Sequence, residues 1–179
     1  LMDGYAMRFS GVINLEKIQN PILVAKLLQK EKDRILSNEG ALKFARDKGF
    51  KLFDSRTKES IKNWKIQKYG TVGACALDRN GRLAAATSTG GRGMEHVDRV
   101  SDSATPAGNY ANDFAACSAT GIGEDIVDES LCSQLVLLGK EQNNLGKSFK
   151  DTFKIMKSRK RRLATIGLDH TGQAFIGNT

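Results

Sequence analysis

Hydrophobic positions along the chain change their period several times, and each change predicts an element. Residues 1–12 read as a strand end and loop. Asn20-Pro21 then predicts a helix start, with Val24, Leu27, Leu28 and Ile35 on one face and Lys26, Lys30 and Asp33 on the other. A second helix is expected over about 39–48, with Ala41, Leu42 and Ala45 inward and Gly49 as its stop. The charged, unperiodic stretch 50–69 reads as a mobile linker containing the lone Trp64. A short apolar run from Val72 to Leu77 follows. Asp78-Arg79-Asn80-Gly81-Arg82 supplies an Asn-Gly turn, and Leu83 to Thr89 returns as the second arm of a β-hairpin. That hairpin would set Thr71 beside Thr89.

Further on, 90–104 reads as a glycine-rich loop and 104–112 as a turn-rich connector. Ala115 to Ala119 is a strand of small residues. Asp125 to Leu138 has a helical apolar face formed by Ile126, Leu131, Leu135 and Leu138, with Gly139 as the expected stop. Lys147 to Ser158 repeats the pattern with Phe149, Phe153 and Met156. The runs 163–168 and 174–176 close the chain as a hairpin about Asp169-His170-Thr171-Gly172. Strands, then helices, then strands predict an α+β fold in one domain spanning 1–179.

Composition narrows the function classes. No apolar run approaches the ~20 residues that span a bilayer, and the first residues do not resemble a signal peptide. The first residue is Leu1, so the chain is expected to begin inside a longer protein. The formal charge of +8 raises nucleic acid as a partner. Its densest run, Lys157-Ser158-Arg159-Lys160-Arg161-Arg162, interleaves no aromatic residue and reads instead as a solvated helix end that complements the helix dipole. Cys75, Cys117 and Cys132 are odd in number and lie in apolar stretches, which predicts inert buried thiols in a reducing, cytoplasmic setting. His96 and His170 form no pair, and no Cys-x-x-Cys occurs, so no metal site is expected. Neither histidine sits in a serine-nucleophile motif.

The hairpin strands are built from Gly, Ala, Cys and Thr, small enough for another layer or a substrate to approach the backbone. On composition alone, threonines at a strand end are ordinary β-formers. The ordered set Gly70-Thr71-Val72-Gly73-Ala74 with the tail Ala84-Ala85-Ala86-Thr87-Ser88-Thr89-Gly90-Gly91, however, resembles the processing site of the plant-type asparaginase and isoaspartyl peptidase family. Two further motifs follow in the same order. Arg99-x-x-Asp102 is similar to the family's pair for a substrate's free carboxylate and free amine. Thr120-Gly121-Ile122-Gly123-Glu124 is similar to its oxyanion motif. Chemically, an Arg fork and an acid in one pocket suit a zwitterionic substrate, and a hydroxyl with a glycine N–H suits an oxyanion.

The resemblance implies an N-terminal-nucleophile hydrolase with a four-layer αββα sandwich, here lacking the family's first strands. It implies autocatalytic cleavage between Gly70 and Thr71, which makes 1–70 the end of an α subunit and 71–179 a β subunit. Thr71 would be the nucleophile and Thr89 would tune it. Thr120 and Gly121 would hold the oxyanion, while Arg99, Asp102 and the Gly123 carbonyl would anchor the substrate. The expected substrates are asparagine and β-aspartyl dipeptides, without metal or organic cofactor, in a dimer of cleaved protomers. Departures exist: Ser101 stands where relatives often carry Gly, and the segment before Met2-Asp3-Gly4 is absent from these residues. Two alternatives are a glycosylasparaginase-type amidase, against which Gly70 and Gly90 argue, and a shortened non-catalytic homologue that binds an acidic partner through its basic stretch.

Overall fold

Two short strands, β1 (Met2–Asp3) and β2 (Arg8–Phe9), open the chain beside a third, β3 (Gly11–Ile13). The structure is a computed structural model that describes residues 1–54, 70–91 and 95–179. Helix α1 (Pro21–Leu28) starts with proline at its first position, strand β4 (Ile35–Ser37) pairs in parallel with β3, and helix α2 (Asn38–Asp47) ends at Gly49, whose φ of +87° suits glycine. The predicted hairpin is β5 (Thr71–Leu77) and β6 (Leu83–Thr89). A 3-10 turn over Asp102–Ala104 leads to β7 (Asn109–Ala111) and β8 (Ala115–Gly121). Helices α3 (Gly123–Asp128), α4 (Leu131–Glu141) and α5 (Leu145–Ser158) precede the closing hairpin β9 (Leu163–Asp169) and β10 (Ala174–Asn178).

The strands form one sheet in the order β2-β1-β6-β5 and a second in the order β10-β9-β8-β7. The two sheets face each other, with β5 and β6 over β8. Alternation along β8 decides what fills each side. Ala115, Cys117 and Ala119 face α4 and α5 in a core with Leu131, Leu135, Leu145, Phe149, Phe153 and Met156. Ala116 faces the other way, into the space between the sheets, with Leu83, Ala85, Cys75 and Leu168. Each large side chain in the helical core contributes about 1.5–3 kcal/mol of transfer free energy. The mixed helix and sheet architecture expected from the pattern is thus present. Among the described residues no helix is long and apolar enough to cross a membrane.

Several boundaries differ from the sequence expectation. The first helix stops at Leu28, because the Gln29 side chain donates to the carbonyls of Leu1 and Arg8; Ile35 belongs to β4 and is half exposed rather than on the helix face. The single helix expected over 125–138 is two, broken at Ser130, whose φ is +46°. Gly139 does not stop α4. It lies inside it, where a Cβ would come within 3.0 Å of Leu145 Cδ1, so it permits close approach of the next helix. The connector 104–112 holds strand β7. The start of the expected linker is packed: Phe50 joins the cluster of Val24 and Ala45, and the Phe53 N–H donates to Lys17 O at 2.8 Å. The rest of that linker, including Trp64, lies outside the described residues.

Candidate active site

Hairpin register brings the first two candidates together. Thr71 pairs with Thr89, and the Thr71 hydroxyl donates to Thr89 Oγ1 at 3.3 Å. The Gly91 N–H donates to the same oxygen at 3.1 Å, which fixes Thr89 as acceptor and leaves the Thr71 oxygen lone pairs unspent. The turn that sets this register is held by Asp78, whose Oδ1 accepts from the N–H groups of Asn80 and Arg82. Those bonds, the Arg82 N–H first, hold its carboxyl below the usual range. Gly70, directly before Thr71, is exposed.

Beneath the hairpin, the sheets approach closely. A Cβ on Gly73 would overlap Ser118 Oγ and lie 3.1 Å from Ser118 Cβ. Ser118 Oγ and Thr87 Oγ1 are buried and hydrogen-bonded at 2.6 Å. Thr87 Oγ1 also donates to Gly108 O, and the Ala119 N–H donates to that carbonyl at 2.8 Å. Gly108 O therefore joins β6 to β8. Thr120 lies two positions beyond Ser118 on the same face of β8, as Thr71 lies two positions beyond Gly73 on β5. Since Leu77 packs with Ala116 and Gly73 lies over Ser118, Thr71 and Thr120 occupy the same end of the paired sheets.

Thr120 and Gly121 are exposed at the end of β8. Gly121 has a φ of +137°, and a Cβ there would fall 2.7 Å from Leu163 Cα. The Ile122 N–H donates to Arg162 O at 2.8 Å, and the chain turns directly into α3. The basic run takes part in holding this turn. Asp125 accepts from the Arg162 N–H at 2.9 Å and from Arg161 at 2.9 Å, while Arg161 and Arg159 both bind Glu129, which is buried. The Arg162 N–H and the Arg161 guanidinium outweigh desolvation and hold the Asp125 carboxyl below its usual range. Arg159 and Arg161 are thus an internal brace, which corrects the expectation of a simply solvated helix end.

Gly123 brings the third set together. Its Cα packs so closely that a Cβ would overlap Ser101 Oγ and lie 2.8 Å from Asp102 Oδ1 and 3.1 Å from an Arg99 guanidinium nitrogen. Asp102 is buried in the 3-10 turn, with Gly108 packed on its other side. Burial pushes its pKa up, opposed by the Ser101 hydroxyl and the Arg99 charge. Arg99 lies three positions from Asp102 but does not pair with it; it donates to Glu95 at 3.0 Å and to Glu124 at 2.8 Å. An open cleft of about 880 Å³ is walled by Thr89, Gly91, Arg99 and Ser101 and by Val12 and Asn14. Burial also pushes the Cys75 thiol up to about 12, so it is no nucleophile at neutral pH. Cys117 and Cys132 are buried and their pKa values are raised by the same cause.

Sequence reasoning missed Thr87, Gly108 and Ser118, which tie the strands together, and Glu95 and Glu124, which hold Arg99. Ser118 was the most accessible of these, since it precedes Thr120 by one strand repeat.

Residues 1–68 and 65–179 match the family described as Asparaginase. The isoaspartyl peptidase/L-asparaginase of Synechocystis sp. is 41% identical over 201 residues, covering 100% of this chain and 61% of that protein. The protein of the same description from Nostoc sp. is 38% identical over 203 residues, covering 100% of this chain and 64% of that protein. The plant-type L-asparaginase of Pyrococcus horikoshii is 35% identical over 153 residues, 69% of this chain and 49% of its own length. The chain thus spans roughly three-fifths of the first two relatives.

Proposed function

The chain belongs to the Asparaginase family, and on that premise we propose that it is the working portion of an autoprocessing hydrolase of β-aspartyl amide bonds. Its substrates are the side-chain amide of L-asparagine and β-aspartyl dipeptides. The observation that carries this assignment is the 3.3 Å contact of Thr71 with Thr89 at the end of the paired sheets where β8 ends in Thr120-Gly121.

Maturation comes first. Thr71 Oγ attacks the Gly70 carbonyl carbon, the C–N bond breaks, and the acyl group passes to oxygen as an ester. Water opens the ester, leaving a Gly70 carboxylate and a free Thr71 amine. An α-amine titrates near ~7.7–8.0, so it serves as base for its own hydroxyl at neutral pH. Thr89, fixed by Gly91, orients that hydroxyl. The activated oxygen then attacks the substrate's β-carbonyl, and Thr120 with the Gly121 N–H holds the oxyanion. Ammonia or an amino acid leaves, and water releases aspartate from Thr71. Arg99 takes the α-carboxylate, exchanging part of its hold on Glu95 and Glu124, while Asp102 and the Gly123 carbonyl take the α-ammonium.

We assign the fold to the four-layer αββα sandwich of N-terminal-nucleophile hydrolases, supported by the facing sheets, by α4 and α5 outside one of them and by α1 against β6. Residues 1–70 are assigned to an α subunit and 71–179 to a β subunit, paired as a dimer of cleaved protomers. The unpaired thiols of Cys75, Cys117 and Cys132 support a cytoplasmic location.

The test is intact mass and N-terminal sequencing of the full-length protein after incubation at neutral pH, followed by aspartate release from L-asparagine and a β-aspartyl dipeptide. Fragments meeting at Gly70 and Thr71, with aspartate released, are expected. A chain that stays whole and releases no aspartate refutes the assignment.

A further inference from the structure

Ser101 is not among the residues that the proposed chemistry uses, yet it sits inside the substrate pocket that chemistry requires. Its hydroxyl donates to Asp102 Oδ1 at 2.8 Å. Gly123 packs against both groups, since a Cβ there would overlap Ser101 Oγ and lie 2.8 Å from Asp102 Oδ1. The second carboxylate oxygen, Asp102 Oδ2, is buried without a hydrogen-bond partner among the described residues. It faces the scaffold, where a Cβ on Gly108 would lie 2.8 Å away. The two oxygens are therefore not equivalent: Oδ1 looks toward Gly123, and Oδ2 looks into the fold.

We infer that Ser101 is a positioning residue for the ammonium subsite, its hydroxyl fixing the Asp102 carboxylate with Oδ1 turned to Gly123. This rests on the substrate assignment above and extends it to a residue that neither contacts the scissile bond nor carries charge. A carboxylate oxygen has more than one acceptor direction, so Oδ1 accepts from Ser101 and from the incoming ammonium together. The bond is charge-assisted, hence stronger than one between neutral groups. Without it, the carboxyl keeps only its own backbone N–H as a partner, and its orientation rests on packing against Gly108 and Gly123.

The charge state of Asp102 reports the same bond. Burial raises its pKa, and the Ser101 hydroxyl opposes that by favouring the ionised form. The charged and titratable groups around it are Arg99, which lowers its pKa, Glu124, which raises it, Glu95 across Arg99, and the buried Cys132 thiol of α4. Loss of the hydroxyl moves the titration further up. Ammonium binding then fails at a higher pH as the solution is acidified.

The experiment compares the full-length protein with Ser101→Ala and Ser101→Gly. Both residues are smaller than serine, and the backbone at 101 (φ −115°, ψ −171°) is extended and admits either. Four quantities are measured: KM and kcat for L-asparagine, the dissociation constant of L-aspartate, and the carbon-detected titration midpoint of the Asp102 carboxyl. In both variants KM and the aspartate constant are expected to rise roughly tenfold with kcat changed less than about twofold. The Asp102 midpoint is expected to move up, since the hydroxyl that opposes burial is gone. Unmoved KM and midpoint overturn the inference, and so does a fall in KM, which would mean that Ser101 competes with the ammonium. A wild-type protein that neither binds L-aspartate nor turns over L-asparagine removes the substrate assignment and this role together. A competent wild type with unmoved variants removes Ser101 alone.

Discussion

A close contact beside Thr71, the proposed nucleophile, lies at Gly73 and makes a quantitative prediction. Gly73 lies two residues after Thr71 on the inward face of β5, and an added Cβ would overlap Ser118 Oγ while lying 3.1 Å from Ser118 Cβ. Ordinary carbon contacts are about 3.5–4.0 Å, so Gly73→Ala cannot be absorbed without movement. Two responses are open. Ser118 can rotate away and give up its 2.6 Å bond to Thr87, or β5 can lift from β8. The first loses a buried hydrogen bond of about 1 kcal/mol and the second is overpacking at about 1–3 kcal/mol. For a domain of this size that is a fall in Tm of roughly 2–10 °C. Lifting β5 also carries Thr71 with it, and a misplacement near 1 Å lowers a positioned reaction by about a hundredfold.

The partner variant makes the argument testable. Ser118→Ala alone removes the bonds to Thr87 and, at 3.3 Å, to the Ala86 carbonyl, but Thr87 Oγ1 keeps Gly108 O as acceptor, so the expected loss is about 1–2 kcal/mol. Combined with Gly73→Ala it also removes the overlapping oxygen, and the double variant should regain most of the lost stability, a favourable coupling of about 1–2 kcal/mol. Thermal midpoints are read in a Thr71→Ala background, so that chain cleavage does not enter. The rate of self-cleavage is followed by mass spectrometry with Thr71 intact. Gly73→Ala with an unchanged midpoint and cleavage rate refutes the close-approach argument, and so does an equal loss with and without the Ser118 hydroxyl.

Thr71→Ala is expected to leave a single uncut chain with no aspartate release; normal cleavage in that variant, seen by intact mass, removes Thr71 as nucleophile. Thr120→Ala removes one of the proposed oxyanion donors and should slow kcat roughly a hundredfold or more with the thermal midpoint little changed, since Thr120 is exposed at the end of β8; steady-state kinetics showing less than about a threefold loss contradicts that role. Asp125 has its pKa lowered by the Arg162 N–H and Arg161, so its stabilisation is present above the unfolded carboxyl value of about 3.9 and disappears as pH falls through the folded one. Urea midpoints of Asp125→Asn should therefore fall below wild type at neutral pH and converge with it in acid. A constant gap across that range refutes the linkage.

What could be read from the sequence was whatever is encoded locally. An Asn-Gly turn fixes a two-arm register, and so Thr71 faces Thr89 as the turn chemistry predicts. The helical face of Phe149, Phe153 and Met156 buries as its spacing requires. The misreadings share one cause, a distant partner that overrides local preference. Gln29 ends α1 by reaching the backbone of Leu1 and Arg8, and no residue near Gln29 announces that contact. The helix expected over 125–138 breaks at Ser130 beside Glu129, whose partners Arg159 and Arg161 lie some thirty positions further on. Arg99 followed the same rule. Asp102 is three positions away, yet Arg99 bonds Glu95 and Glu124, and Asp102 turns inward to Ser101 and Gly108. That exchange has a chemical consequence. Because the Arg99 fork is held by other carboxylates, Asp102 keeps an oxygen directed at Gly123 instead of being consumed by its neighbour. On the proposed assignment, a zwitterionic substrate would meet a cation and an anion presented separately, which a closed Arg99–Asp102 pair would not provide.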